Sequence, residues 1–148
     1  MKRIKILITA LLALLMTSCV EKPDNTVEYL DVNPNNISGK WELVQWNGSS
    51  LAEGTYVYLD IVRNDNTYTM YQNIDSFSNI SHVVTGSYYI QHDPELGAII
   101  RGNYDHDSGD WSHRYIIKYL TATEMYWIAK DDPAFTQKYV RVDSIPVK

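Results

Sequence analysis

The densest run of side chains able to do chemistry is Asp105-His106-Asp107-Ser108-Gly109-Asp110, with Trp111 and His113 just beyond it. Carboxylates at alternate positions beside a glycine are the donors that wrap a hard cation such as calcium. The order departs from that chemistry, because Ser108 stands directly before Gly109 where an EF-hand loop places Asp or Asn, and no Glu closes the run. The stretch therefore reads as a solvated hairpin loop. His82, His92, His106 and His113 show neither His-x-x-x-His nor a Glu-paired zinc spacing. His106 and His113 flank one turn, where loop imidazoles are the ordinary reading. Glycosidic bond cleavage needs two carboxylates across a cleft, and short loops seldom build one. Gly-x-Ser-x-Gly, a phosphate loop and a dinucleotide fingerprint are all missing from the chain. The expectation is a protein without catalytic residues, metal or cofactor.

The single cysteine points to a different chemistry. Lys2, Arg3 and Lys5 precede an apolar run over 6–16 that only Thr9 interrupts, and Met16-Thr17-Ser18-Cys19 ends it. Positive charge holds such a start on the cytoplasmic side, and the run is too short to cross about 30 Å of hydrocarbon, which takes roughly 20 residues. The tetrapeptide resembles a lipobox, with Met where Leu is usual. Such a motif is cut by signal peptidase II, and its cysteine is thioether-linked to diacylglycerol. The expected organisation is a lipoprotein signal over 1–18, a Pro-punctuated membrane tether over 19–36 and one domain over 37–148. Val20 is not the Asp that retains enterobacterial lipoproteins at the inner membrane, so an outer-membrane anchor through Cys19 is expected, on either leaflet.

Lipidation of Cys19 leaves neither a disulfide nor a thiol nucleophile in the mature chain. Loss of Lys2, Arg3 and Lys5 from 13 basic residues, against 18 acidic ones, takes the formal charge from −5 to −8. That balance argues against nucleic acid or an anionic lipid surface as partner. Twelve Tyr and four Trp against two Phe suit strands that pack on one face and meet water or a partner on the other.

From Ser38 onward, short runs rich in β-branched and aromatic residues recur between turn signals, and no helix-length apolar period appears. Strands are expected over 40–46, 55–62, 67–74, 82–91, 98–103, 113–120, 124–129 and 137–142. Gly, Pro, Asn or Asp occupies nearly every gap, Thr121-Ala122-Thr123 being the weakest turn. Eight strands joined in order by short loops predict an all-β, up-and-down antiparallel barrel, because closure removes the exposed edges of an open sheet. Val57, Leu59 and Ile61 alternate onto one face, taken as the interior, and Tyr115, Ile117 and Tyr119 are placed inside on the same ground. Such a barrel is either filled by side chains or holds one small ligand.

Gly39-Lys40-Trp41, followed by Glu42-Leu43-Val44, resembles the opening of lipocalin-type barrels. In those barrels the Trp closes the base beneath a basic side chain of the last strand. Arg141, in Tyr139-Val140-Arg141-Val142, is the matching residue, a guanidinium over an indole being a cation–π pair. The chain is similar to the lipocalin-like lipoproteins of the Bacteroidetes over roughly 37–142, although the Thr-Asp-Tyr-like motif of outer lipocalins has no convincing counterpart. The resemblance implies non-catalytic binding of a small hydrophobic or amphipathic ligand, with Leu59, Met70, Tyr115, Ile117, Tyr119 and Trp127 lining the cavity. The alternative is a protein-interaction or inhibitor module of the cell envelope with a filled interior. It would work through exposed aromatics, with Tyr56, Tyr58, Tyr71 and Trp111 as candidates. Asp143-Ser144-Ile145, just past the last expected strand, resembles a Bacteroidetes O-glycosylation sequon.

Overall fold

Alternation of apolar and polar residues produces the strands β1 (Gly39–Trp46), β2 (Ser49–Ser50), β3 (Val57–Val62), β4 (Thr67–Gln72), β5 (His82–Asp93), β6 (Gly97–Tyr104), β7 (Tyr115–Lys118), β8 (Glu124–Ala129) and β9 (Thr136–Val142). The computed structural model describes residues 26–74, 80–106 and 109–146. The expected signal with Cys19, and Asp107 and Ser108 of the acidic loop, lie outside the described residues. From β3 to β9 each strand pairs antiparallel with the next, β1 pairs with β3, and β1 also pairs with β9. The sheet is thereby closed as an eight-stranded up-and-down barrel, and the two-residue β2 merely folds back on the end of β1. Chain direction then defines two ends. The start of β1 and the end of β9 form the base; the end of β1, the start of β3 and the start of β9 form the mouth.

The base is plugged by a short piece with no helical period to read in the sequence. Pro34–Ile37 form α1, a single turn capped by Asn33, whose side chain accepts from the N–H groups of Asn35 and Asn36 at 3.0 Å each. Proline at the first helical position gives up an N–H that would lack an intrahelical partner anyway. The turn drives Ile37 into full burial beneath the barrel. Upstream, the Leu30 N–H donates to the Leu120 carbonyl at 2.8 Å, and Leu30 and Val32 pack against the core. The chain from Leu30 onward is thus docked on the barrel.

The interior of β3 is the expected one, with Val57, Leu59 and Ile61 buried. In β7 the expectation fails at one residue. Tyr115 and Ile117 face in, but the strand ends at Lys118, and Tyr119 adopts a left-handed φ of 50° and lies 63% exposed, while Leu120 is buried. A left-handed residue breaks the period-two alternation, so the third position of the series leaves the interior.

Trp111 also departs from expectation: it is buried rather than displayed. Gly102 of β6 makes the room, since a Cβ there would lie 2.1 Å from the Trp111 ring. The Trp111 N–H groups are both used. Its backbone donates to the Gly102 carbonyl, and its indole donates to the Tyr68 hydroxyl at 2.8 Å, which donates in turn to the Asn103 carbonyl at 3.0 Å. With the Asn103–Asp110 bridge, this segment continues the sheet where β6 and β7 pair through only Ile99 with Ile116 and Ile100 with Tyr115. Tyr56, Tyr58 and Tyr71 are half-buried, and the Tyr58 hydroxyl donates to Glu42 at 3.3 Å.

Candidate functional site

At the base, the Arg141 guanidinium carbon lies 4.0 Å from the Trp41 ring centroid. The planar fork also donates to three carbonyls: Ser38 at 2.6 Å and Asn36 at 2.9 Å from its two terminal nitrogens, and Ala122 at 2.7 Å from Nε. Trp41 is fully buried and its indole N–H donates to the Ile37 carbonyl at 2.8 Å. Gly39 has a φ of +118°, and a Cβ on it would sit 2.5 Å from the Arg141 fork. The residues Gly39, Trp41 and Arg141 therefore meet as one closure, tying the helical turn, the first strand and the last strand together. All three Arg141 nitrogens and the Trp41 indole donate to backbone carbonyls, which makes this end a structural lock.

The opposite end is built differently. Inside the mouth is a cavity of about 320 Å³. Its two walls come from opposite sides of the barrel. Tyr115, Trp127 and Tyr139 from β7, β8 and β9 join Trp111, His113 and Phe135 as an aromatic wall; Leu43, Val57, Met70 and Ile74 make the aliphatic one. The aromatic wall is continuous. Ring centroids are 5.3 Å apart for Tyr115 and Trp127, 4.9 Å for Trp127 and Tyr139, and 4.7 Å for His113 and Phe135. Tilted and edge contacts of this kind hold aromatic faces in fixed orientation.

One further wall residue arrives through a backbone irregularity. Leu43 pairs with Tyr139 and Gln45 with Lys138, so Val44 is an extra residue in β1. Such a bulge re-aims the side chains that follow it. Trp41 and Leu43 point inward at odd positions, and after the bulge Trp46 lines the mouth at an even one, edge-on to Phe135 at 5.4 Å.

Polar atoms are few, and His113 is the one ionisable nitrogen base among them. Lining residues with polar side-chain atoms include Gln72, Tyr104, Ser112, Tyr115 and Gln137, and no Asp, Glu, Lys or Arg lines the cavity among the described residues. The buried Gln137 accepts from the Tyr139 hydroxyl at 3.0 Å. Burial raises the phenol pKa of Tyr139, with Tyr115 adding to the effect, and raises that of Tyr115, with Tyr104 adding. Tyr68, behind Trp111, is pushed up to about 12 by burial, against the opposing pull of the indole N–H it accepts. The hydroxyls around the cavity are thus neutral donors and acceptors across the physiological range.

Of the six residues expected to line a cavity, Met70, Tyr115 and Trp127 do so. Leu59 and Ile117 are buried in the packed core outside the lining, and Tyr119 stands on the outer surface. Trp46, Trp111, Phe135 and Gln137 were not among the expected lining, although Phe135 and Gln137 sit at the start of the last strand, where a mouth must be.

A family model described as a lipocalin-like domain matches residues 37–127. No curated protein matches the chain. The match starts at the buried Ile37 and ends at Trp127, within the eighth of the nine strands. The chain belongs to the lipocalin-like domain family.

Proposed function

We propose that this lipocalin-like protein is a non-catalytic binder of a small hydrophobic or amphipathic molecule, held at a bacterial outer membrane through diacylglycerol on Cys19. The observation that carries the binding reading is the cavity of about 320 Å³ at the open end, apolar on two walls with a few neutral polar groups. Ligand pockets start near about 300 Å³ and have that composition. Family membership supports the same reading, since eight-stranded barrels of this class hold one small ligand. The membrane reading rests on the sequence around Cys19.

Native mass spectrometry of the protein taken from its own host tests the binding reading. A co-purifying small molecule that is lost on Trp127→Ala is the expected result; a wild-type protein that is always empty, and unmoved in melting temperature by apolar probes, would refute it. Membrane fractionation tests the anchor. Cys19→Ala is expected to move the protein into the soluble fraction, and a variant that still sediments with membranes would overturn lipidation there.

One observation favours a second reading, docking to a protein through exposed aromatics. Tyr29, Tyr119 and Tyr126 form a row on the outer surface, with ring centroids 5.9 Å and 6.3 Å apart. Tyr29 is 60% exposed and Tyr119 63%. A stoichiometric protein partner lost on Tyr119→Ser would favour this reading over the cavity.

A further inference from the structure

We infer that the molecule taken by the mouth cavity is uncharged and carries a flat ring system, with its single polar end set against Tyr115 and Gln137. This rests on the binding reading above and narrows it to a ligand class. Three observations lead there.

The first is shape. In a closed order of eight strands, β3 lies opposite β7 and β4 opposite β8. Val57 and Met70 therefore face Tyr115 and Trp127 across the cavity. Those two rings are inclined by 40° at 5.3 Å, and Trp127 is locked further by Trp111 at 5.9 Å and 32°. A fixed aromatic wall opposite flexible aliphatic side chains is a slot for a planar group, which gains stacking that a puckered ring of equal area does not. The volume equals that of about ten waters in the liquid, enough for two fused rings and a short substituent.

The second is charge. No Asp, Glu, Lys or Arg lines the cavity among the described residues. The lone imidazole, His113, is packed on the Phe135 ring at 4.7 Å, so a carboxylate or ammonium drawn inside would lose its hydration with no fixed countercharge to replace it. Fatty acids and amines are thereby disfavoured, whatever their apolar length.

The third is an unused hydroxyl. Tyr115 lines the cavity, and its phenol has no hydrogen-bond partner among the described residues. Among the described residues the one fully buried side-chain polar atom without a partner is Arg101 Nε, so the unpartnered Tyr115 hydroxyl is not sealed away, and Tyr115 lines the cavity. Gln137 engages Tyr139 through its Oε1, which leaves its amide N–H groups for a ligand on the same side. A phenol that can donate or accept, beside an amide that donates, suits a hydroxyl or a carbonyl oxygen.

Isothermal titration of the full chain with three probes of one skeleton tests this. The probes are 2-naphthol, its saturated counterpart decahydro-2-naphthol, and 2-naphthoate, which is ionised at pH 7. The first is expected to bind at least about tenfold tighter than either of the others, from stacking on one side and carboxylate desolvation on the other. Tyr115→Phe, which removes an oxygen that bonds nothing in the protein, should keep the melting temperature and weaken 2-naphthol about three- to tenfold. Naphthoate binding as well as naphthol would overturn the uncharged class. Decahydro-2-naphthol binding equally would overturn the planar one. In both cases the cavity remains a binding site, whereas binding of none of the three would overturn the cavity reading together with this inference. An unchanged affinity in Tyr115→Phe would remove Tyr115 from the site.

Discussion

Arg141 shows how much one side chain can hold when its geometry matches what surrounds it. Its fork meets carbonyls from Asn36, Ser38 and Ala122 while its face covers Trp41. Lysine keeps the charge but has neither the plane nor the fork. Arg141→Lys is therefore expected to cost about 1–3 kcal/mol, read as a lower urea midpoint with an unchanged slope. Trp41→Ala, which empties a fully buried indole site, should cost about 3–5 kcal/mol. A protein with either change and unaltered melting would contradict the lock. Asp93 makes a smaller case on the acid side. Its carboxylate accepts from the N–H groups of Leu96 and Glu95, which hold its pKa below the ordinary aspartate value of 3.8. Its contribution is complete above the unfolded carboxyl value and is lost as pH falls through the depressed folded one. Carbon NMR titration of the carboxyl should find a midpoint below 3.8, and an ordinary midpoint would remove the turn's acid dependence. Gly39, Trp41 and Arg141 could be assigned because Gly39-Lys40-Trp41 resembles the opening of lipocalin-type barrels, which implies a basic partner on the last strand. Trp111 could not, because its place is made by a missing side chain at Gly102, on a strand that precedes it.

At the scale of elements, the sequence located strands better than it oriented their ends. The expected 124–129 is β8 itself, and the strand expected at 40–46 gains only Gly39 in β1. The misreadings fall where backbone geometry departs from period two. The extra Val44 turns Trp46 toward the mouth, and the left-handed Tyr119 leaves the interior after Lys118. Neither event has a sequence marker, since no glycine stands at either place; each is set by pairing across the sheet. The contact of β6 with the following loop is the most exacting of these pairings. Gly102→Ala puts a methyl into the Trp111 ring, and Gly86→Ala puts one 1.8 Å from the Asn103 carbonyl and 2.8 Å from the Tyr68 ring. At Gly86 the obstacle is backbone, and at Gly102 it is an indole held between Tyr68, Tyr115 and Trp127. Gly102→Ala should therefore expel Trp111, breaking its bond to Tyr68 and destabilising the protein by about 2–4 kcal/mol, within the range of serious core overpacking and lost buried bonds. Tryptophan emission should shift to the red at the same time. Unchanged emission and stability in Gly102→Ala would show that Trp111 does not depend on this slot.

For the whole molecule, the relevant quantity is the set of tyrosines that the barrel has taken out of water. Burial is the largest cause raising the phenol pKa of Tyr58, Tyr68, Tyr88, Tyr115 and Tyr139, with Tyr68 pushed up to about 12 from the ordinary 10.0. Four of these belong to the single hydrophobic core, the exception being the half-buried Tyr58. A phenol that stays protonated in the fold but ionises in the unfolded chain shifts the equilibrium in one direction. Below pH 10 both states hold the proton and nothing is lost; above it the unfolded state sheds protons that the folded state keeps, and stability falls with each further step. The barrel should thus lose stability in alkali. Absorbance near 295 nm followed from pH 8 to 13 is expected to show Tyr68, Tyr88, Tyr115 and Tyr139 ionising only with cooperative loss of the near-ultraviolet dichroism. Core tyrosines titrating near pH 10 in a protein that is still folded would mean that water already reaches the barrel interior, and the slot between the aromatic and aliphatic walls would then be too wet to select a flat, uncharged ligand.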